Sequence, residues 1–208
     1  MNIKVNATRM ELLRLKRRLI LAKKGHKLLK DKLEELMRQF ILNVNKFKGL
    51  RGNIQEMLKI GHFNFVKARG GVPKEYTDSA LSVTDAKTEL TLESAYVLNI
   101  QIPKLKIKVS GDIHSYGFKD TSVFLDKSLS SYREVFEDMI KLAELEKTIF
   151  LIAIEIDRTR RRVNALEYIL IPNIEEAIRN ISMKLDERER ANLTRLMKIK
   201  EIIQKRKG

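Results

Sequence analysis

From Leu12 to Met57 the chain places an apolar side chain at alternating steps of three and four: Leu12, Leu15, Leu19, Ala22, His26, Leu29, Leu33, Leu36, Phe40, Asn43, Phe47, Leu50, Ile54 and Met57, with His26 and Asn43 as the polar members. A mean step of about 3.5 residues keeps one stripe of a helix facing a single partner, the signature of a coiled coil. A second stripe runs through Leu142, Leu145, Ile149, Ile152, Ile156, Thr159, Val163, Leu166 and Leu170. Two such stripes separated by a dissimilar middle predict a chain that folds back on itself. The expected fold is all-α dominated: a long antiparallel two-helix coiled coil made by the N- and C-terminal helices, with a small β-hairpin-containing head between them. Its seam would be carried by Leu15, Leu19, His26, Leu29, Leu33 and Leu36 on one side and Ile152, Ile156, Val163 and Leu166 on the other.

Boundaries follow from local signals. Thr8 and Glu11 have the spacing of a capping box, so in the N-terminal segment, 1–66, the helix starts near Thr8 and runs to about Leu58–Val66. Fifty or more residues at ~1.5 Å each would make a helix of about 75–85 Å. Gly25 lies inside it and costs about 1 kcal/mol relative to Ala unless it admits a close neighbour. The buried polar residues His26 and Asn43 are expected to fix the register of the pair.

The head, 67–121, opens on the helix breakers Gly70, Gly71 and Pro73. A short helical stretch is expected around Asp85–Glu93. Strand-like alternation follows from Ala95 to Val109, divided by Pro103, which lacks a donor and either starts the second strand or sits on an edge; turns are expected at Ser110–Asp112 and Ser115–Gly117. The last segment, 122–208, is expected to start as a helix near Thr121–Ser122 and to carry Leu125, Leu129, Tyr132, Phe136 and Met139 before its frame shifts at Leu142. Pro172 should kink it or break it briefly, because Ile174, Ile178, Ile181 and Leu185 resume the stripe.

Charge changes the picture from a helical pair to a helical pair with a partner. The net charge is +15, and residues 1–62 hold sixteen Lys or Arg against five Asp or Glu. The tail after Leu193 is basic again, with Arg195, Lys198, Lys200, Lys205, Arg206 and Lys207 against Glu201. An antiparallel hairpin brings these termini together, so one end should be cationic and seek an acidic surface or channel. A basic helical hairpin also fits nucleic-acid binding or an adaptor on an anionic membrane. Aromatic residues suited to base stacking are few, and no base-reading motif is present.

Chemistry of other kinds finds no foothold. There is no cysteine, which excludes disulfides, thiol nucleophiles and the commoner zinc sites. Gly70-Gly71 lacks the spacing of a phosphate loop, and no nucleophile elbow or dinucleotide fingerprint occurs. His26, His62 and His114 are far apart, so neither a metal nor another cofactor is expected. Acid pairs such as Glu34-Glu35 and Glu175-Glu176 read as solvated faces. The apolar run from Ile149 to Ile154 is far short of the ~18 residues of a membrane span, and the N-terminus enters a basic amphipathic helix without a leader pattern.

Several segments carry a resemblance. Thr8-Arg9, Leu12-Leu13-Arg14-Leu15-Lys16, Lys24-Gly25-His26-Lys27-Leu28-Leu29-Lys30-Asp31-Lys32 and Glu35-Leu36-Met37 resemble the N-terminal signature of the D subunit of the V/A-type rotary ATPases. Glu146-Lys147-Thr148, the run Thr159-Arg160-Arg161-Arg162-Val163-Asn164-Ala165-Leu166-Glu167-Tyr168, Ile171-Pro172 and Glu187-Arg188-Glu189-Arg190-Ala191 are similar to its C-terminal signature. The resemblance implies a non-catalytic rotor axle in the cytoplasm, peripheral to the membrane. Its paired termini would enter the bore of a hexamer of catalytic and nucleotide-binding subunits. Its midsection would bind the small rotor F subunit, and its far end would dock on the funnel-shaped subunit that caps the membrane ring. Neither nucleic acid nor direct membrane insertion belongs to that role. Stator contacts would fall to Arg9, Arg14, Arg17, Lys24, Lys27, Arg160, Arg161, Arg162, Arg188, Arg190 and Arg195. Three successive arginines span about 200° of a helix. They would therefore either grip acidic loops of the stator or pair with Glu155, Asp157 or Glu167 as a solvated cluster.

Overall fold

The computed structural model describes residues 6–82, 84–117 and 121–207. In chain order the elements are α1 (Arg9–Gly71), α2 (Lys74–Ser82), β1 (Lys87–Val97), β2 (Ile100–Ser110), α3 (Val123–Ala165), a π-helical turn (Leu166–Leu170) and α4 (Ile171–Lys207). They form two compact units. One comprises Met1–Glu35 with Asp157–Gly208, the other Leu36–Ile156.

Helix α1 starts where the capping residue places it. Thr8 Oγ1 accepts the Glu11 N–H at 3.3 Å, and the Thr8 carbonyl takes the first helical bond, from Leu12 N–H. No proline interrupts the next 63 residues. Gly70-Gly71 and Pro73 end the helix five residues beyond the expected boundary.

In the unit containing the termini, the start of α1 runs antiparallel to the end of the chain. The Ala7 carbonyl and Arg9 contact Arg188 and Glu189, Lys23 meets Glu175 and His26 meets Glu167. Partner numbers thus fall on one side as they rise on the other. Leu15, Ile174 and Ile181 form the buried core, flanked by Leu12, Leu19, Leu170, Ala177, Ile178 and Leu185. Each apolar side chain brought from water to such a core contributes about 1.5–3 kcal/mol.

The helix is not broken at Pro172. Ile171 N–H bonds the Leu166 carbonyl, five residues back, and regular α-helix continues on both sides of the wider turn. The wide turn relieves the clash of the proline ring with the carbonyl four residues earlier. It also absorbs the phase of the stripe, which here steps by fours through Leu166, Leu170, Ile174 and Ile178.

The other unit joins α1 from Leu36 onward to α2, the hairpin and α3 up to Ile156. Ala68, Tyr116 and Leu125 form its buried cluster, with Phe65, Ala80 and Leu129 against it. Ser122 caps α3, its hydroxyl accepting Phe124 N–H at 3.3 Å. The buried Ser128 hydroxyl donates across to the Gly61 carbonyl at 3.0 Å. The inward face of α3 corrects the expected series: Val135 is 1% exposed, whereas Phe136 and Met139 are 40% and 46% exposed. The inward stripe steps from Leu125 through Ser128 and the half-buried Tyr132 to Val135, which leaves Phe136 and Met139 outside it.

The middle departs further from expectation. The stretch expected to be helical around Asp85–Glu93 is largely strand β1, and the short helix lies earlier, as α2. The strands pair antiparallel from Lys87↔Ser110 to Val97↔Ile100. The turn is therefore Leu98-Asn99, both at positive φ (48° and 71°). Pro103 sits inside β2. Gly111 follows the sheet at φ +92°, where an added Cβ would lie 2.4 Å from the Asp85 carbonyl oxygen. Only glycine fits there.

Candidate partner-binding surfaces

Every expected stator cation is exposed: Arg9, Arg14, Arg17, Lys24, Lys27, Arg160, Arg161, Arg162, Arg188, Arg190 and Arg195. Several engage their own chain. Arg9 pairs with Glu189, Arg14 lies 3.8 Å from Glu11 and Arg188 donates to the Ala7 carbonyl at 3.0 Å. The first and last of these contacts join the terminal helices, while Arg14–Glu11 lies within α1. Within the triple-arginine run, Arg161 pairs with Asp157 at 2.7 Å, one turn back on the same helix. Glu167 is engaged elsewhere, by His26 Nε2 at 3.4 Å. Arg160 makes no ion pair among the described residues. Arg162 stands at the rim of an apolar hollow lined by Leu29, Ala165, Leu166, Ile169 and Leu170, where the π-helical turn widens the backbone.

Among the expected seam residues, Leu15, Leu36, Ile152 and Val163 are buried. Leu19, His26, Leu29, Leu33, Ile156 and Leu166 are half-buried. The half-buried side chain of His26 reaches from α1 to Glu167, with Nε2 3.4 Å from the carboxylate. Asn43 instead donates to the Gln39 carbonyl at 2.9 Å, on its own helix. Thr159, 1% exposed, has a hydroxyl oxygen without a hydrogen-bond partner among the described residues. Gly25 does not mark a close approach, since an added Cβ would meet nothing within 4 Å. That role belongs to Gly61, where the same Cβ would lie 3.1 Å from the Tyr132 ring.

Two features escaped the sequence reading. Beyond Leu185 every described side chain of α4 through Lys205 is exposed, because α1 begins at Arg9, opposite Glu189, and no described residue lies alongside the remainder. Leu193, Leu196, Met197, Ile199, Ile202 and Ile203, each 50–65% exposed, alternate there with Arg195, Lys198 and Lys200. The Arg206 and Lys207 side chains of the expected basic tail lie outside the described residues. The signal was present: apolar positions continue after the N-terminal stripe has run out.

The second feature is a polar cluster under the head. The Tyr116 hydroxyl donates to Asp126, and His114 Nδ1 lies 3.3 Å from the same hydroxyl. Burial, then the hydrogen bond to Asp126, pushes the Tyr116 phenol well above the ordinary range, so it stays protonated and donating. Its work is to seat the loop before α3.

Among the described residues no group of His, Asp or Glu could hold a metal ion, and no helix is long and apolar enough to cross a membrane. The family model for the D subunit of ATP synthase matches residues 11–201. The V-type ATP synthase D subunit of Acetivibrio thermocellus is 47% identical over 205 residues, covering 97% of this chain and 92% of that one. Its counterpart in Fusobacterium nucleatum subsp. nucleatum is 44% identical over 206 residues, covering 98% of each. That of Thermoanaerobacter sp. is 45% identical with the same coverage. A match of this extent, over a chain whose long terminal helices flank a β-hairpin, places the protein in the ATP synthase D-subunit family.

Proposed function

We propose that this chain is the central-stalk component of a V/A-type ATPase or ATP synthase. In that role it couples ATP hydrolysis or synthesis in a catalytic hexamer to rotation of a membrane ring and to proton or sodium transport. The observation that carries the reading is the exposed end of α4. Its apolar side chains are interleaved with cations, and no described residue of its own chain covers them. Such a surface suits a protein socket with an apolar lining and acidic loops. A phosphate backbone would match the cations and leave six large apolar side chains in water.

The mechanism follows from asymmetry. One helical pair cannot present the same face to three equivalent catalytic interfaces, so each angular position favours a different state at each. Reversing a 1:99 equilibrium at an interface takes about 5.5 kcal/mol of differential contact. The chain itself supplies no catalytic group: it works by binding. Its partners would be the hexamer of catalytic and nucleotide-binding subunits, the small rotor F subunit and the funnel-shaped cap of the ring. It would sit on the cytoplasmic side, peripheral to the membrane.

Affinity purification of the tagged chain from native membranes tests this. The expected result is co-purification of the catalytic and nucleotide-binding subunits, with one copy of this chain per hexamer. Recovery with nucleic acid or liposomes, and without those subunits, would overturn it.

A further inference from the structure

The two edges of the hairpin are finished differently. Val97↔Ile100 flanks the two-residue turn as a hydrogen-bonded pair, which fixes the alternation along both strands. On β2, the outward positions include Pro103, which has no N–H, and Leu105, whose N–H donates to the Glu144 carboxylate of α3 at 2.9 Å. That edge is blocked at its middle. On β1 the outward positions are Thr88, Leu90, Leu92, Ser94 and Tyr96, the partners of Val109, Ile107, Leu105, Pro103 and Gln101. No proline interrupts them, and every residue from Lys87 to Ser94 is exposed. A long bare edge is a template for another strand, and proteins normally blunt it.

The side chains state what the template fits. Opposite faces of β1 carry Leu90 and Leu92, 56% and 70% exposed, and Glu89 and Glu93. Glu93 reaches Lys106 at 2.6 Å, while Glu89 makes no ion pair among the described residues. The strand already paired with β1 shows the complement: Lys104-Leu105-Lys106-Ile107-Lys108 alternates basic and apolar residues. We infer that β1 receives an extended segment of another protein of the complex, in which basic and apolar residues alternate, as a third strand. The added strand takes the five outward N–H groups or their carbonyls, covers Leu90 and Leu92 and neutralises Glu89.

This rests on the chain being part of a larger complex, and the test separates the two claims. Amide hydrogen exchange is compared between the isolated full chain and the purified assembly. In the isolated chain Thr91 and Glu93, bonded to β2, exchange slowly while Leu90 and Leu92 exchange fast. On assembly Leu90 and Leu92 are expected to slow at least ten-fold. Unchanged exchange in a complex that contains the chain overturns the strand addition alone; failure of the chain to enter any complex overturns both claims. Concentration-dependent slowing in the isolated chain would mean a second copy as the occupant, and overturns it too.

Thr88→Pro and Ser94→Pro remove outward N–H groups without touching a bond to β2, as Pro103 does on the other edge. They are expected to abolish most of the slowing at Leu90 and Leu92, with Thr91 and Glu93 still protected. Thr88→Val and Ser94→Val keep the N–H groups and should retain it. Full slowing in the proline variants would show burial by something other than a strand, against the proposal.

Discussion

Gly25 and Gly61 lie on one helix with opposite surroundings. An added Cβ at Gly25 meets nothing within 4 Å, so Gly25→Ala gains helix propensity without a steric cost. The expected effect is about 1 kcal/mol of added stability, read as a higher urea midpoint at unchanged slope. At Gly61 the Cβ would press on Tyr132, whose hydroxyl lies 2.5 Å from His62 Nδ1, and on the segment anchored by Ser128. Gly61→Ala is expected to lower the midpoint despite the same propensity gain. Equal gains at both positions would remove close helix approach as the reason for Gly61. Sequence could not tell these glycines apart, because the distinction lies in what faces each one. The cap at Thr8 was legible, since the side chain and the N–H it accepts are three residues apart on the same segment.

At the scale of elements, the long helices were legible from a periodicity repeated over many turns. The hairpin was legible as strand, and its turn was not. Leu98-Asn99 has only one residue that favours positive φ, and Pro103 offered a stronger and misleading punctuation mark. Lys87-Thr88-Glu89-Leu90 looked helical because Lys, Glu and Leu form helices well on their own; pairing with β2 overrode that preference. The π-helical turn was foreshadowed by the run of four-residue steps that spans Pro172, from Leu166 to Ile178, which a straight helix cannot hold in one stripe. The turn of the hairpin makes a prediction. Leu98 at φ 48° carries a left-handed backbone penalty of about 1–2 kcal/mol that asparagine largely escapes. Leu98→Asn should therefore stabilise the hairpin by roughly 0.5–1 kcal/mol, visible as slower exchange of the Val97 and Ile100 amides. Faster exchange would mean that the Leu98 side chain, 39% exposed, contributes more by packing than its backbone costs.

For the whole molecule, composition and pattern were enough to read a cationic helical protein with long terminal helices, whereas the surfaces that meet partners were not. Contact residues obey the partner's geometry, and neither periodicity nor charge count records it. The triple-arginine run shows what remains to be measured. Arg161 has a carboxylate on its own helix, Arg160 has no ion pair among the described residues, and Arg162 borders an apolar hollow. Replacing all three by Ala keeps helix propensity high and leaves Ile156, Val163 and Leu166 untouched, so the helix should still form. If the run grips acidic loops of the hexamer, affinity falls at least ten-fold at low salt, about 1.4 kcal/mol. The remaining binding also becomes less sensitive to salt, because exposed charge pairs are the part that ions screen. If Arg162 works mainly through the hollow, Arg162→Ala alone weakens binding with little change in salt dependence. A solvated cluster would shift affinity by only a few tenths of a kcal/mol. Titrating wild-type and variant chains into the same hexamer at two salt concentrations separates these outcomes, and superimposable curves would exclude the run from the interface.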